Sequence, residues 1–182
     1  NDWPRITTAA GQFKPAKIFI DDSSSLTVLE MKARARRLLR KEGLDLIIID
    51  YIQLMSGKTG RSEYRQLDVA EISRSLKIMA KDLVVPVIAL SQLSREPEKR
   101  TGTYAGRPRL ADLRESGAIE QDADLVLMLY HPSLYKPDGI EASSPVSDTE
   151  VIIAKNRHGR VGSVTLRFFK DYTRFENAAK GS

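Results

Sequence analysis

Residues 44–50, LDLIIID, put a carboxylate at the end of an apolar run. Gly57-Lys58-Thr59 follows, with Lys58 eight residues beyond Asp50. A buried strand ending in aspartate is how Mg²⁺–nucleotide sites hold a metal water shell in a dry cleft. The tripeptide is the last part of a phosphate-cradling loop, G-x-x-x-x-G-K-[ST], whose backbone amides wrap the anion. Aligned on that pattern, Ile52 stands where the first glycine belongs, and the stretch between Asp50 and Lys58 is too long for a tight strand-to-helix turn. The tripeptide therefore reads as part of a surface loop, whose lysine is free to meet the phosphate of another molecule. A second apolar run, VIALSQ, ends in Ser91 and Gln92. Ligands gather at the carboxyl ends of strands in open α/β sheets, so Asp50 and Gln92 could share one rim. Each is equally a polar residue that caps a loop, and together they make half of a nucleotide site.

These residues need elements to position them. LDLIIID is too continuous for a half-exposed strand and predicts burial on both faces in a parallel sheet. Before it, KIFIDD (residues 17–22) alternates as a short strand. Thr27 and Glu30 have the spacing of a capping box, and Val28, Met31, Ala35, Leu38 and Leu39 continue at helical spacing to Gly43. The opposite face carries Lys32, Arg36, Arg37, Arg40 and Lys41, either a solvated face or a nucleic-acid contact. Val69, Ile72, Leu76, Met79 and Leu83 form the stripe of a second helix. A Pro/Gly/Arg-rich loop (residues 95–108) precedes a short helical region, LADLRESGAIEQ, and the strand LVLMLY. After another long loop come the strands EVIIAKN, SVTLRFF and TRFEN, the first two joined by a hairpin turn at RHGRVG. Helices between early strands and antiparallel strands late in the chain predict an α/β domain with a mixed sheet. The opening, DWPRITTAAG, gives no sign of a completed element.

Composition narrows the classes of function. The 182 residues are enough for one domain with a real core, and 41% hydrophobic with 29% charged residues describes a globular protein. With no cysteine there is neither a disulfide framework nor a thiolate metal site, which favours an intracellular protein. His131 and His158 lack a zinc-ligand pattern. No apolar run approaches the ~20 residues of a membrane span. A net charge of +5 and a pI near 9.5 favour an anionic partner.

Four long motifs together resemble one family: LDLIIIDYIQLM, VAEISRSLKIMAKDLVVPVIALSQLSR, RPRLADLRESGAIEQDADLVLMLY and IIAKNRHGRVGSVTLRF. They are similar to the C-terminal motor domain of bacterial replicative DNA helicases of the DnaB family, over about Asp2 to Asn177. The resemblance implies a RecA-like NTPase fold: a largely parallel sheet with antiparallel C-terminal strands and helices on both faces. It implies ATP-driven 5′-to-3′ translocation on single-stranded DNA by a homohexameric ring in the cytoplasm, with Mg²⁺ as cofactor and a primase and a helicase loader as partners. At particular positions, Asp50 matches the aspartate that organises Mg²⁺ through water. Gln92 matches the glutamine that senses the γ-phosphate and links hydrolysis to the DNA loops. Lys155 and Arg157 match a basic pair that reaches a neighbouring subunit's ATP site. Arg114, Glu115 and Gly117 match a loop that lines the channel and grips the DNA backbone, and residues 57–65 match a second channel loop.

Family members also carry a collar domain, a genuine phosphate loop and a catalytic glutamate, and none of these occurs in the 182 residues. The expectation is that residues 1–182 are the distal part of one motor domain and do not hydrolyse ATP, or bind Mg-ATP, alone. A non-enzymatic RecA-like module that binds single-stranded DNA or a replication partner is the alternative. Another RecA-class ATPase, such as a recombinase, fits the LRESGAIEQDAD stretch less well.

Overall fold

A computed structural model describes residues 2–13, 15–56, 65–102, 105–135 and 144–178, with the side chains of 65, 66 and 114–116 excepted. The chain opens with α1 (Trp3–Phe13), which buries none of its residues: Trp3 and Phe13 stand well exposed. The opening thus does form an element, contrary to its featureless sequence.

Helix α2 (Val28–Glu42) starts as its sequence requires. The Thr27 hydroxyl accepts from the Glu30 amide at 3.3 Å, and the Glu30 carboxylate accepts from the Thr27 amide at 3.0 Å. It stops at Gly43, whose φ of +82° suits glycine and whose amide donates to the Leu39 carbonyl. Strand β1 (Ile47–Ile49) pairs in parallel with β2 (Val87–Ala89), Ile49 opposite Ala89. Between them runs α3 (Arg65–Leu83). Val69, Ile72, Leu76, Met79 and Leu83 are all buried, joined by Ala35 of α2 and by Ile49, Ile52 and Val85. Each large apolar side chain among them contributes about 1.5–3 kcal/mol through burial, so this cluster is what holds the parallel pair in place. Lys32 of α2 is tied to Asp82 of α3, which gives one member of the basic face a structural role.

Two expectations fail. Residues 17–22 form no strand: Ile18, Phe19 and Ile20 are exposed, and among the described residues no strand pairs with them. Asp21 instead turns the chain, accepting from the Ser23 amide at 3.1 Å and from Arg34 of α2 at 2.6 Å. That carboxyl is lowered to about 2, first by hydrogen bonding to Ser23 and then by the Arg34 guanidinium. Nor is β1 covered on both sides. Ile47 and Ile49 meet the α2–α3 core, while Ile48 is 62% exposed because helices pack only on the first face among the described residues.

The antiparallel half follows α4 (Gly117–Asp122). Strands β3 (Leu125–Tyr130), β4 (Val146–Asn156), β5 (Gly162–Phe169) and β6 (Arg174–Asn177) lie in sequence order. The hairpin falls at RHGRVG as expected, with Ile153 opposite Gly162. The mixed α/β character is therefore realised as two hydrogen-bonded sheets, one parallel and one antiparallel, rather than one. A second core of Leu113, Val126 and Met128, with Ile152 and Ala154 packed on it, supports β3 and β4. The α3 helix links the halves, since Lys77 pairs with Asp124 at the start of β3.

Candidate nucleotide and DNA site

Asp50 follows β1 directly and Gln92 lies three residues past β2, so the parallel pairing delivers both to the carboxyl end of one small sheet. The pairing continues past the strands: Leu90 donates to the Ile49 carbonyl and Ile52 to the Leu90 carbonyl, each at 2.9 Å. Gln53, which no sequence pattern singled out, then stitches the rim. Its amide nitrogen donates to the Ser91 hydroxyl at 3.0 Å and to the Gln92 carbonyl at 3.4 Å, and its oxygen accepts from the Gln92 amide at 3.3 Å. These bonds fix where the Gln92 backbone stands, and the residue itself is exposed. The Asp50 carboxylate is also exposed and, among the described residues, has neither a hydrogen-bond nor an ion-pair partner. Gly57, Lys58 and Thr59 lie outside the described residues, so the reading of GKT as a loop is unaddressed by the structure.

Two residues beyond Gln92, the Ser94 amide donates to the Asp112 carbonyl at 3.1 Å. Asp112 is the anchor of the long loop. It is buried, accepts from both terminal nitrogens of Arg100, and accepts from the Arg109 amide at 2.6 Å. Burial pushes its carboxyl up, but the Arg100 guanidinium and Arg109 amide outweigh that and leave it below the usual carboxylate range. Arg100 also donates to the Arg107 carbonyl, Arg107 pairs with Glu150 of β4, and Gly106, at φ +67°, lies against the Tyr135 ring where a Cβ would clash. The loop rich in Pro, Gly and Arg is therefore pinned at several points along its length.

The 3₁₀ stretch Leu110–Ser116 carries Arg114 and Glu115, whose side chains are outside the described set, and leads into α4 at Gly117. Gly117 has a helical φ of −50°, and a Cβ there would meet nothing within 4 Å. Neither the backbone nor the packing of this chain demands glycine at that position.

The basic pair sits elsewhere, at the end of β4. Lys155 donates to the Glu120 and Gln121 carbonyls, and Arg157 donates to the Gln121 carbonyl at 3.0 Å and to Asp124 at 3.1 Å. Both cations thus meet the C-terminal carbonyls of α4, where the helix dipole favours positive charge. The two positions converge on one target, as strand alternation requires. Asp124 was not foreseen: it is 33 residues from Arg157 and gives no local signal. The Lys77 hydrogen bond holds its carboxyl below the usual range against the opposing pull of burial, with further help from Arg157 and His158.

Among the described residues no group of three or more His, Cys, Asp or Glu could hold a metal ion, and no helix is long and apolar enough to cross a membrane. His131 packs edge-on against Phe168 with its Nδ1 2.9 Å from the Thr149 hydroxyl, a structural setting. A cleft of about 450 Å³ between α2 and α3, lined by Val28, Lys32, Asp68, Ile72 and Ile78, includes none of the candidate residues.

The model of the DnaB-like helicase C-terminal domain family matches residues 1–177. The chain belongs to that family. It is 49% identical over 176 residues to the replicative DNA helicase DnaB of Geobacillus stearothermophilus, covering 97% of this chain and 37% of that protein. The replicative DNA helicase DnaC of Bacillus subtilis is 46% identical with the same coverage. Among solved structures, a DnaB-like replicative helicase, described with its interactions with primase, superposes with a TM-score of 0.85 at 42% identity, over 98% of this chain and 42% of its own. A second solved structure, an isolated ATPase domain, gives 0.86 at 42% identity, covering 98% of this chain and 61% of that one. The chain thus spans about 37% of the length of the two curated relatives. The RecA-like fold expected from the motifs agrees with these neighbours.

Proposed function

We propose that the chain is the distal part of a replicative DNA helicase motor, working in a cytoplasmic homohexamer that moves 5′ to 3′ on single-stranded DNA at the expense of ATP. The observation that carries this reading is the joint rim of Asp50 and Gln92, set by parallel pairing and by Gln53. Mg²⁺ usually keeps several waters and is held by one or two carboxylates plus substrate phosphates. A single exposed aspartate fits that mode and does not fit an all-protein metal cage. The ion, when bound with ATP, neutralises charge on the transferred phosphoryl group. Asp50 orients the ion's water shell, and Gln92 meets the γ-phosphate side of the same rim.

From Gln92 the chain runs through Ser94 to Asp112 and so to the Arg114–Gly117 segment. This supports a physical route from nucleotide to DNA. Arg114 contacts phosphate oxygens rather than bases, since a motor that accepts any sequence gains nothing from base readout. Glu115 cannot attract phosphate and holds a neighbouring basic side chain. Gly117 leaves room for backbone to approach DNA closely, which is consistent with a glycine that the fold itself does not require. Lys155 and Arg157 act on the neighbouring subunit's nucleotide, where a planar guanidinium suits bidentate contact with phosphate oxygens. A primase and a loader complete the assembly.

No G-x-x-x-x-G-K-[ST] occurs in the 182 residues, so the isolated chain turns over no ATP. ATP turnover by this chain that Asp50→Ala abolishes would refute that statement. The wider proposal is tested with a hybrid ring, in which this chain replaces the matching residues of the G. stearothermophilus helicase. Assembled hybrid rings are expected to unwind a duplex with a 5′ single-stranded tail when given Mg-ATP, and to lose this with Asp50→Ala. Assembled rings that bind neither DNA nor ATP would overturn it in favour of a non-enzymatic module.

A further inference from the structure

We infer that Asp124 is a positioning residue that aims Arg157, through paired main-chain and side-chain contacts, at the nucleotide of the neighbouring subunit. The inference rests on the trans reading of Arg157 given above. Asp124 grips Arg157 at two points: its carbonyl accepts from the Arg157 amide at 2.8 Å, and its carboxylate accepts from the guanidinium at 3.1 Å. The Gln121 carbonyl takes the other terminal nitrogen at 3.0 Å. A side chain held at backbone, at one terminal nitrogen and at the other has little freedom to swing. These side-chain bonds occupy fewer than half of the five N–H donors of a guanidinium, and the Arg157 side chain is still 45% exposed. What results is an arginine that is oriented yet retains donors for a phosphate.

Asp124 is itself held. Its second carboxylate oxygen accepts from Lys77 of α3, so the orienting group is fixed to the helix whose stripe builds the core under β1 and β2. Lys155 binds the same α4 terminus, which keeps the two cations in register. Because α4 begins at Gly117, the support on which Arg157 rests is continuous with the segment proposed to contact DNA. Positioning is the decisive quantity in such a site, since a misplacement of about 1 Å can cost roughly 10²-fold in rate.

The test uses the hybrid ring and reads kcat and KM for ATP separately. Asp124→Asn, which keeps the shape but removes the charge that holds the guanidinium, should lower kcat about tenfold and leave KM nearly unchanged. In an Arg157→Ala background the same substitution should have no further effect, because nothing remains to be aimed. Lys77→Ala removes only the α3 partner and should leave kcat close to that of the parent. If Asp124→Asn matches the parent while Arg157→Ala is inactive, the positioning role is wrong and the trans role of Arg157 stands. An equal loss from Lys77→Ala, or an added loss in the Arg157→Ala background, also overturns it, since Asp124 would then act through the fold. Full activity of Arg157→Ala rings removes the trans reading and this inference with it.

Discussion

The rim of β1 and β2 and the basic pair at the end of β4 are ordered by different means. At the rim, backbone pairing and the Gln53 side chain fix the chain around Gln92, while the Asp50 carboxylate has no partner among the described residues. At the end of β4 the functional candidates themselves are engaged: Lys155 and Arg157 spend donors on α4 carbonyls and on Asp124. An acid that organises a hydrated metal needs only a fixed strand under it, because the water shell supplies the remaining geometry. A long, rotamer-rich arginine that must enter another subunit's site needs its own side chain steered. The difference matches a site whose two halves belong to separate subunits.

The sharpest way to break the comparison is at Arg157. In the hybrid ring, Arg157→Ala should lower the ATPase rate by roughly 10³-fold, the low end for a finger that neutralises transition-state charge. Steady-state turnover checks this, and an unchanged rate would leave a solvated turn arginine. Next in size is Asp112, the link between the rim and the Arg114 segment. Asp112→Ala strands the Arg100 guanidinium beside a buried site, and breaking such a pair costs about 3 kcal/mol. Urea unfolding of the 182-residue chain should show this as a lower midpoint.

The extent to which these parts were legible in the sequence follows from how local each one is. The stripe from Val69 to Leu83 and the Thr27–Glu30 box announce themselves within a few residues, and both form as their spacing requires. Asp50 and Gln92 were readable because each ends an apolar run. Gln53, Asp112 and Asp124 were not, since their partners are 39, 12 and 33 residues away and polar residues in loops have no periodicity to betray them. The KIFIDD segment misled for the converse reason: alternation proposes a strand, but a strand also needs a neighbour, and here the Asp21–Arg34 pair fixes an irregular chain. LDLIIID likewise has the composition of a two-sided strand, whereas only one side meets helices among the described residues.

Two smaller effects sharpen the contrast. Arg114→Ala should weaken binding of the hybrid ring to single-stranded DNA about equally for all sequences and reduce the salt slope by about one. Titrations of several homopolymers at different salt concentrations measure this, and a sequence-dependent loss would contradict backbone recognition. The smallest effect lies in the antiparallel half. Burial of His131, aided by the charge of Lys170, lowers its pKa from 6.5, so the unfolded chain binds the proton first as pH falls. Its contribution is present above pH 6.5 and is lost as pH falls from there through the folded-state value. Thermal unfolding between about pH 7.5 and 5 should show a steeper decline for the parent than for His131→Gln.

Subunit mixing tests most directly whether one site is completed by two subunits. Hybrid rings made only of Asp50→Ala subunits, or only of Arg157→Ala subunits, should be inactive. Mixed in equal amounts and reassembled, they should regain a fraction of the parent ATPase, because some interfaces then join an intact Asp50 to an intact Arg157. Mixed rings as inactive as either parent, with assembly confirmed, would show that the two residues serve the same subunit's nucleotide and would contradict the account.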